Sequence, residues 1–289
     1  MEKEKVTVCI PHFMRENLLR KCLQALRENV SLPYRVIIIN DGKRSLSFEN
    51  DQIQVINKLE RTGLGAKRKQ FAELVETEYL FELGNDVLTQ PRSLEALVQA
   101  LDQNARLAVV SGIRLEKGKP PTGASDFKFI GKFITKKTYS FFQILRCGGD
   151  LFEADYVPIH HTLFRKKALE DISLDPNYEL GYSHLDIFLQ FYFTDWKCAV
   201  CKKSYFEHVF HKSPPEYLKE RFAARRIEAS RRHFMQKWGY RPVDLREKSI
   251  VGKALFIVNY VDNYLRCPYE LKLGFSVAKM FKLMSKLVD

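Results

Sequence analysis

Four clusters carry residue types that could do chemistry. Val6 to Arg15 (VTVCIPHFMR) and Val36 to Gly42 (VIIINDG) each run apolar and largely β-branched, then stop at a polar, turn-forming group. A buried parallel strand that ends in a ligand-facing loop has this form, so Asp41 is a candidate ligand contact by residue type and place alone. Arg61 to Lys69 (RTGLGAKRK) sets two glycines before a basic helix start, which suits close backbone approach to a phosphate or carboxylate. Arg68, not glycine, stands three positions after Gly65, so the dinucleotide fingerprint is missing and a nicotinamide enzyme is disfavoured. After the run Tyr79 to Leu83 come Gly84, Asn85 and Asp86. One amide and one carboxylate at a strand end suit a hard divalent cation that shares a diphosphate, and equally an ordinary Asn/Asp turn before the helix begun at Pro91. Asp186 opens an apolar helix in Gly181 to Gln190 (GYSHLDIFLQ), where a carboxylate can also serve the helix dipole. His208 and His211 follow at a distance suited to a closing metal ligand.

These clusters need a scaffold. Apolar runs at Val6 to Ile10, Val36 to Ile39, Ile53 to Ile56, Tyr79 to Leu83 and Leu107 to Ser111 alternate with three-and-four spacings such as Leu19, Cys22, Leu23, Leu26 and Leu94, Leu97, Leu101. The pattern predicts an α/β fold with a mostly parallel central sheet flanked by helices. Residues 113 to 150 read as an irregular excursion. Asp155 to Phe164 reads as a strand, Lys166 to Asp171 as a short helix, Leu185 to Phe193 as an apolar helix and Lys197 to Val200 as a further strand. The 289 residues can bury a substantial core.

Net charge is +12, and residues 212 to 289 contribute +9 of it, with 17 Lys and Arg against 8 Asp and Glu. With Pro214 and Pro215 this sets an expected boundary: residues 1–212 as one domain, 213–289 as a basic helical C-terminal extension. Leu273, Val277, Met280, Met284 and Leu287 form an apolar stripe with lysines off it, suited to docking on the protein or lying on an anionic membrane surface. No aromatic-interleaved basic repeat or nucleic-acid-binding motif accompanies the charge, so no nucleic acid is expected as partner. Six scattered cysteines, two in apolar strand and helix positions, fit reduced thiols, and the lone Cys198–Cys201 pair lacks the second pair of a structural zinc site. With no leader-like or bilayer-long apolar stretch, the expected location is cytoplasmic, with peripheral membrane attachment through the basic helices.

The order IPHFMR, IINDG, GLGAKR, LGNDV, LFRKKAL, HLD, FHKS and KWG resembles the family 2 inverting glycosyltransferases of the A-type nucleotide-sugar-binding (GT-A) fold across residues 5 to 240 or so. The resemblance implies sugar transfer from a nucleotide sugar, more often UDP-linked than otherwise, to a glycan or lipid-linked acceptor, with a divalent cation (Mn2+ or Mg2+). It implies that Pro11, His12, Phe13 and Arg15 line the nucleotide pocket with Phe13 against the base or ribose. Asp41 would accept from a pyrimidine N–H, and Gly63 and Arg68 would complete the pocket, Arg68 holding Asp41. Asn85 and Asp86 would meet ribose and metal, His211 would be the further metal contact with His208 as competitor, and Asp186 would be the general base. Asp150, Asp155, His184 and the His160–His161 pair would lie toward acceptor and sugar, while Asp150, Asp155 and the histidine pair read equally as ordinary strand-end polar residues with no such role. Inversion by direct displacement needs one base and charge neutralisation on the leaving diphosphate, and no covalent nucleophile. Three departures stand out: Asn40 and Gly84 replace the usual first acids of their motifs, and Leu185 replaces the acid before the base. A binding protein of the same fold with weak or lost turnover is the alternative.

Overall fold

The computed structural model describes residues 4–48, 51–58, 60–117, 119–209 and 213–243; His211 and the expected helix at 273–287 lie outside these residues. The chain opens with β1 (Val6–His12), α1 (Glu16–Asn29), β2 (Tyr34–Asn40), β3 (Ile53–Asn57), α2 (Leu64–Leu74), β4 (Tyr79–Leu83), β5 (Val87–Thr89) and α3 (Ser93–Gln103). Then follow β6 (Leu107–Glu116), β7 (Lys119–Ile130), β8 (Phe133–Ser140), α4 (Phe141–Arg146), β9 (Leu151–Glu153), β10 (His161–Arg165) and α5 (Lys166–Glu170). The described chain closes with α6 (Ser183–Tyr192), β11 (Lys197–His208), α7 (Pro215–Arg221), α8 (Ala224–Trp238) and β12 (Arg241–Pro242).

The described strands join in one mixed sheet ordered β12-β8-β7-β6-β10-β4-β1-β2-β3, with β11 beside β6, β5 and β9. β3, β2, β1 and β4 are mutually parallel, with β1, β2 and β4 largely buried on both faces and β3 at the edge. β10 inserts antiparallel between β4 and β6. Period-two alternation divides the core: Val6, Val8 and Ile10 face α1 and α3, while Cys9 faces the side that takes Phe71 of α2, Ala168 of α5, Phe188 of α6 and Phe234 of α8.

Two expectations are corrected. Residues 113–150 are no excursion: they finish β6 and build the β7–β8 hairpin, whose register runs from Thr122↔Ser140 to Ile130↔Phe133, and α4. Of Asp155 to Phe164, only the stretch from His161 is a strand, because Tyr156 instead makes an isolated bridge to Ser125. Phe234 of α8 is fully buried, a burial that contributes roughly 1.5–3 kcal/mol, and β12 pairs with β8, so the described part of the tail closes the same core. No described helix is long and apolar enough to cross a membrane.

Candidate functional site

The polar clusters at the ends of β1, β2 and β4 meet at one rim of the sheet, where open α/β sheets bind ligands. After β1 the chain turns through Met14 and Arg15, both in the left-handed region (φ 52° and 62°), and Arg15 then caps α1 with its carbonyl. That turn throws the Arg15 guanidinium across the rim, where it donates to Asn85 Oδ1 at 2.7 Å and pairs with Asp86 Oδ2 at 2.8 Å. Asn85 donates in turn to His12 Nδ1 at 2.9 Å. The His12 backbone carbonyl accepts from Lys67 Nζ (3.3 Å), and the same ammonium pairs with Asp41 Oδ1 at 2.6 Å. The other Asp41 oxygen accepts the Thr62 N–H at 3.0 Å. A continuous polar chain thus runs from Asp41 to Asp86. Burial lowers the Lys67 ammonium, and Asp41 opposes that shift. Burial, then the Lys67 charge, pushes His12 down to about 4, which keeps its ring neutral as an acceptor.

Asn40, in the position of a missing acid, is used as both donor and acceptor. It donates to Arg44 O and Asn57 Oδ1 and accepts from Gly42 N–H, which folds the loop after β2. At the other end of the chain, His208 Nε2 lies 3.5 Å from Asp86 Oδ2. Burial pushes the Asp86 carboxyl up, but the His208 contact and the Arg15 charge outweigh it and hold the group well below the usual carboxylate range. Asp86 and His208 fit a divalent cation as one hard anionic oxygen and one imidazole. No group of three or more such ligands occurs among the described residues, so diphosphate oxygens would have to complete the shell.

Over the Asp41 end lies α7. Tyr217 stacks on Phe13 (centroids 6.0 Å apart), the Arg61 guanidinium sits 3.7 Å from the Phe13 ring centre on the same aromatic cluster, and Arg15 sits 4.3 Å from that of Tyr217. Lys43–Glu216 and Arg61–Glu220 ion pairs tie α7 to the rim. Beside it a cavity of about 540 Å³ is lined by His12, Arg15, Asn40, Lys43, Pro214 and Glu216. A larger hollow of about 680 Å³ lies at the opposite end of the strands, near Lys5, Pro33 and Glu78, away from these groups.

With this geometry in place, residues 7–173, more than half of the chain, match the family described as Glycosyl transferase family 2. The chain belongs to that family. It is 25% identical over 117 residues to "Putative glycosyltransferase EpsH" of Bacillus subtilis (strain 168), covering 38% of this chain and 34% of that one. A solved structure titled "Crystal structure of GalNAc-T7 with UDP, GalNAc and Mn2+" superposes with a TM-score of 0.59 at 13% identity, covering 78% of this chain and 48% of that chain. This second likeness is one of fold, and the fold is GT-A. The chain therefore spans about a third and about half, respectively, of the lengths of these proteins.

Within this family 2 domain, several expected site residues are placed differently from expectation. Arg68 does not hold Asp41: it forks onto Glu82 (2.7 Å from both Nε and Nη2) and donates to Ser183 Oγ, while its neighbour Lys67 takes Asp41. A step of one residue turns a helical side chain by about 100°, which separates the two. Gly63 and Gly65 give their close approach to the Tyr178 segment and not to a phosphate. A Cβ at either would meet the backbone carbonyl of Tyr178 or Asp175 within 2.6 Å, and Gly65 N–H donates to Tyr178 O. Asp150 is exposed and pairs with Lys203 at the surface, and Asp155 accepts the Phe127 N–H of β7, so neither has a contact with the rim. His184 lies near the Glu82–Arg68 pair, edge-on to Tyr156 at 5.9 Å. Pro11 sits in β1 opposite Ile39.

Asp186 departs furthest from its expected role. It is 1% exposed and its carboxylate is filled by Trp238 Nε1 (2.7 Å), Gln190 Nε2 (3.0 Å), Lys237 Nζ (2.9 Å) and Tyr178 OH (3.2 Å). It ties α6 to α8. Sequence reasoning passed over Lys67, Arg61, Tyr217 and Glu82. The signal for Glu82 was present in YLFEL, since a charge inside a fully buried strand must find a partner.

Proposed function

We propose that this chain transfers a sugar, with inversion, from a nucleoside-diphosphate sugar, UDP-linked by preference, to a glycan or lipid-linked acceptor. The observation that carries the reading is the polar chain Asp41–Lys67–His12–Asn85–Arg15–Asp86 across the ends of β1, β2 and β4. Asp41 would read the base beside Phe13, and Arg15 would meet the diphosphate. A divalent cation held by Asp86 and His208 would neutralise charge on the departing diphosphate. The basic residues at 212–289 support an anionic membrane surface as a second partner. The test is release of UDP from a panel of UDP-sugars, alongside calorimetry with UDP with and without manganese. Sugar-dependent UDP release supports the reading; neither binding nor release would end it.

One observation favours a second reading, a nucleotide-sugar-binding protein without turnover. Asp186 is saturated, and the start of α6, Ser183–His184–Leu185, brings no other carboxylate. Metal-independent UDP binding without release from any sugar nucleotide would support this alternative.

A further inference from the structure

With Asp186 buried and filled by four donors, Asp41 paired and buried and Asp86 bracketed by Arg15 and His208, the rim needs another proton acceptor. We propose that His160, oriented by the buried Glu82, is the general base that takes the acceptor's proton; this rests on the transferase reading above. His160 immediately precedes β10, and its carbonyl accepts the N–H of Gly84 at 2.7 Å, which staples it to the turn that carries Asn85 and Asp86. Its backbone stands at φ 84°, a region L residues rarely adopt, and such positions persist where the surrounding structure forces them. The ring's Nδ1 lies 3.4 Å from Glu82 Oε1, with the imidazole side chain 40% exposed and the carboxylate 2% exposed.

The parts have the logic of an oriented base. Glu82 is an unusual residue for the middle of β4, and Arg68 grips both of its oxygens, so its carboxylate is fixed in charge and direction. Burial raises its carboxyl, while Arg68 and His160 outweigh that and hold it well below the usual carboxylate range. A carboxylate facing Nδ1 selects the tautomer with the proton on Nδ1, which leaves the Nε2 lone pair outward as acceptor. The distance is long for a hydrogen bond, as catalytic pairs often are before substrate binds. His184 is a poorer choice because its ring is packed against Tyr156.

In the step, the acceptor hydroxyl oxygen bonds to the anomeric carbon as the bond from that carbon to the diphosphate oxygen breaks. The bonding pair leaves with the diphosphate, the hydroxyl proton passes to Nε2, and the imidazolium then returns it to solvent. Glu82 stabilises that cation without itself taking the proton.

The test uses His160→Gly in the full chain, because glycine adopts the same backbone without strain and folding should survive. UDP release from the UDP-sugar panel, with water as acceptor, is expected to fall about 100- to 10,000-fold while UDP affinity stays within about twofold. Added imidazole should restore turnover. Glu82→Gln should lower kcat alone, yet add nothing to His160→Gly, whereas a purely structural Glu82 would add its loss in full. Turnover of His160→Gly within about threefold of the native chain overturns the proposal. So does loss of turnover and UDP affinity together with no response to imidazole. A native chain that neither binds UDP nor releases it fails the transferase reading itself, and the role of His160 with it.

Discussion

Replacing Asp186 with alanine removes a buried carboxylate from four donors at once: Trp238 Nε1, Tyr178 OH, Gln190 Nε2 and Lys237 Nζ. Breaking a buried pair by deleting one partner costs about 3–5 kcal/mol, and because Lys237 can rehydrate, the lower figure, about 3 kcal/mol, applies. For a domain of this size each kcal/mol moves Tm by about 2–4 °C, so Asp186→Ala should melt roughly 6–12 °C lower. Asp186→Asn retains one acceptor oxygen but presents an amide N–H₂ to Gln190 Nε2 or the Lys237 ammonium, a donor facing a donor, and should lose about 1–3 kcal/mol. Differential scanning calorimetry measures both. UDP release by Asp186→Asn, assayed well below its Tm, should stay within about threefold of the native chain. A general base behaves in the opposite way, with an unchanged Tm and turnover down by about 100-fold or more. That pair of results for Asp186→Asn would refute the assignment of Asp186 to the α6–α8 joint.

Three further outcomes follow from the rim. Tyr217→Ala removes the ring stacked on Phe13, worth about 0.5–1.5 kcal/mol to the closed arrangement, and should tighten UDP binding by about 2- to 10-fold in calorimetry; unchanged or weaker binding would mean that Tyr217 does not compete for Phe13. Arg15→Gln withdraws a cation from Asp86, so Mn2+ should raise the Tm of this variant more than that of the native chain, and equal shifts would separate Arg15 from the metal. Burial holds His12 at about 4 and His161 at about 3, so between those values and the unfolded value near 6.5 the unfolded state binds more protons. Their contribution is complete above about pH 6.5 and is lost as pH falls, on the order of 3 kcal/mol for His12 by pH 4. Glu82 and Asp86, held low in the fold, add their own loss as pH falls through the ordinary carboxylate range and below it. Urea midpoints at pH 7 and pH 4.5 should show this slope, and His161→Leu should flatten it; an equal slope in the variant would remove His161 as a cause.

How much of this could be read from sequence depended on what kind of fact each residue expressed. Strand ends were legible, because β1, β2 and β4 are buried on both faces and change abruptly to polar residues, and those ends set the rim. The β7–β8 hairpin was hidden because its strands keep a partly wet face: Lys128 and Lys137 interrupt the apolar residues, so no continuous run announces them. Helix rotation was illegible. Basic residues at the start of α2 were evident, but whether Lys67 or Arg68 reached Asp41 depended on how Gly63 and Gly65 seat the helix against Tyr178. The same holds at α6, where Ser183 faces Arg68 and Asp186, three residues on, faces α8. Trp238 and Lys237 lie some fifty positions away, in a segment whose basic composition suggested a separate tail. Placing α8 against the core converts Asp186 from a free carboxylate at a helix start into a buried acceptor, and the task of proton removal passes to whichever group at the rim still has an open lone pair and a fixed partner behind it. Glu82 and His160 meet both conditions because β10 runs antiparallel to β4 and brings the residue before His161 beside Gly84, a pairing that no local motif encodes.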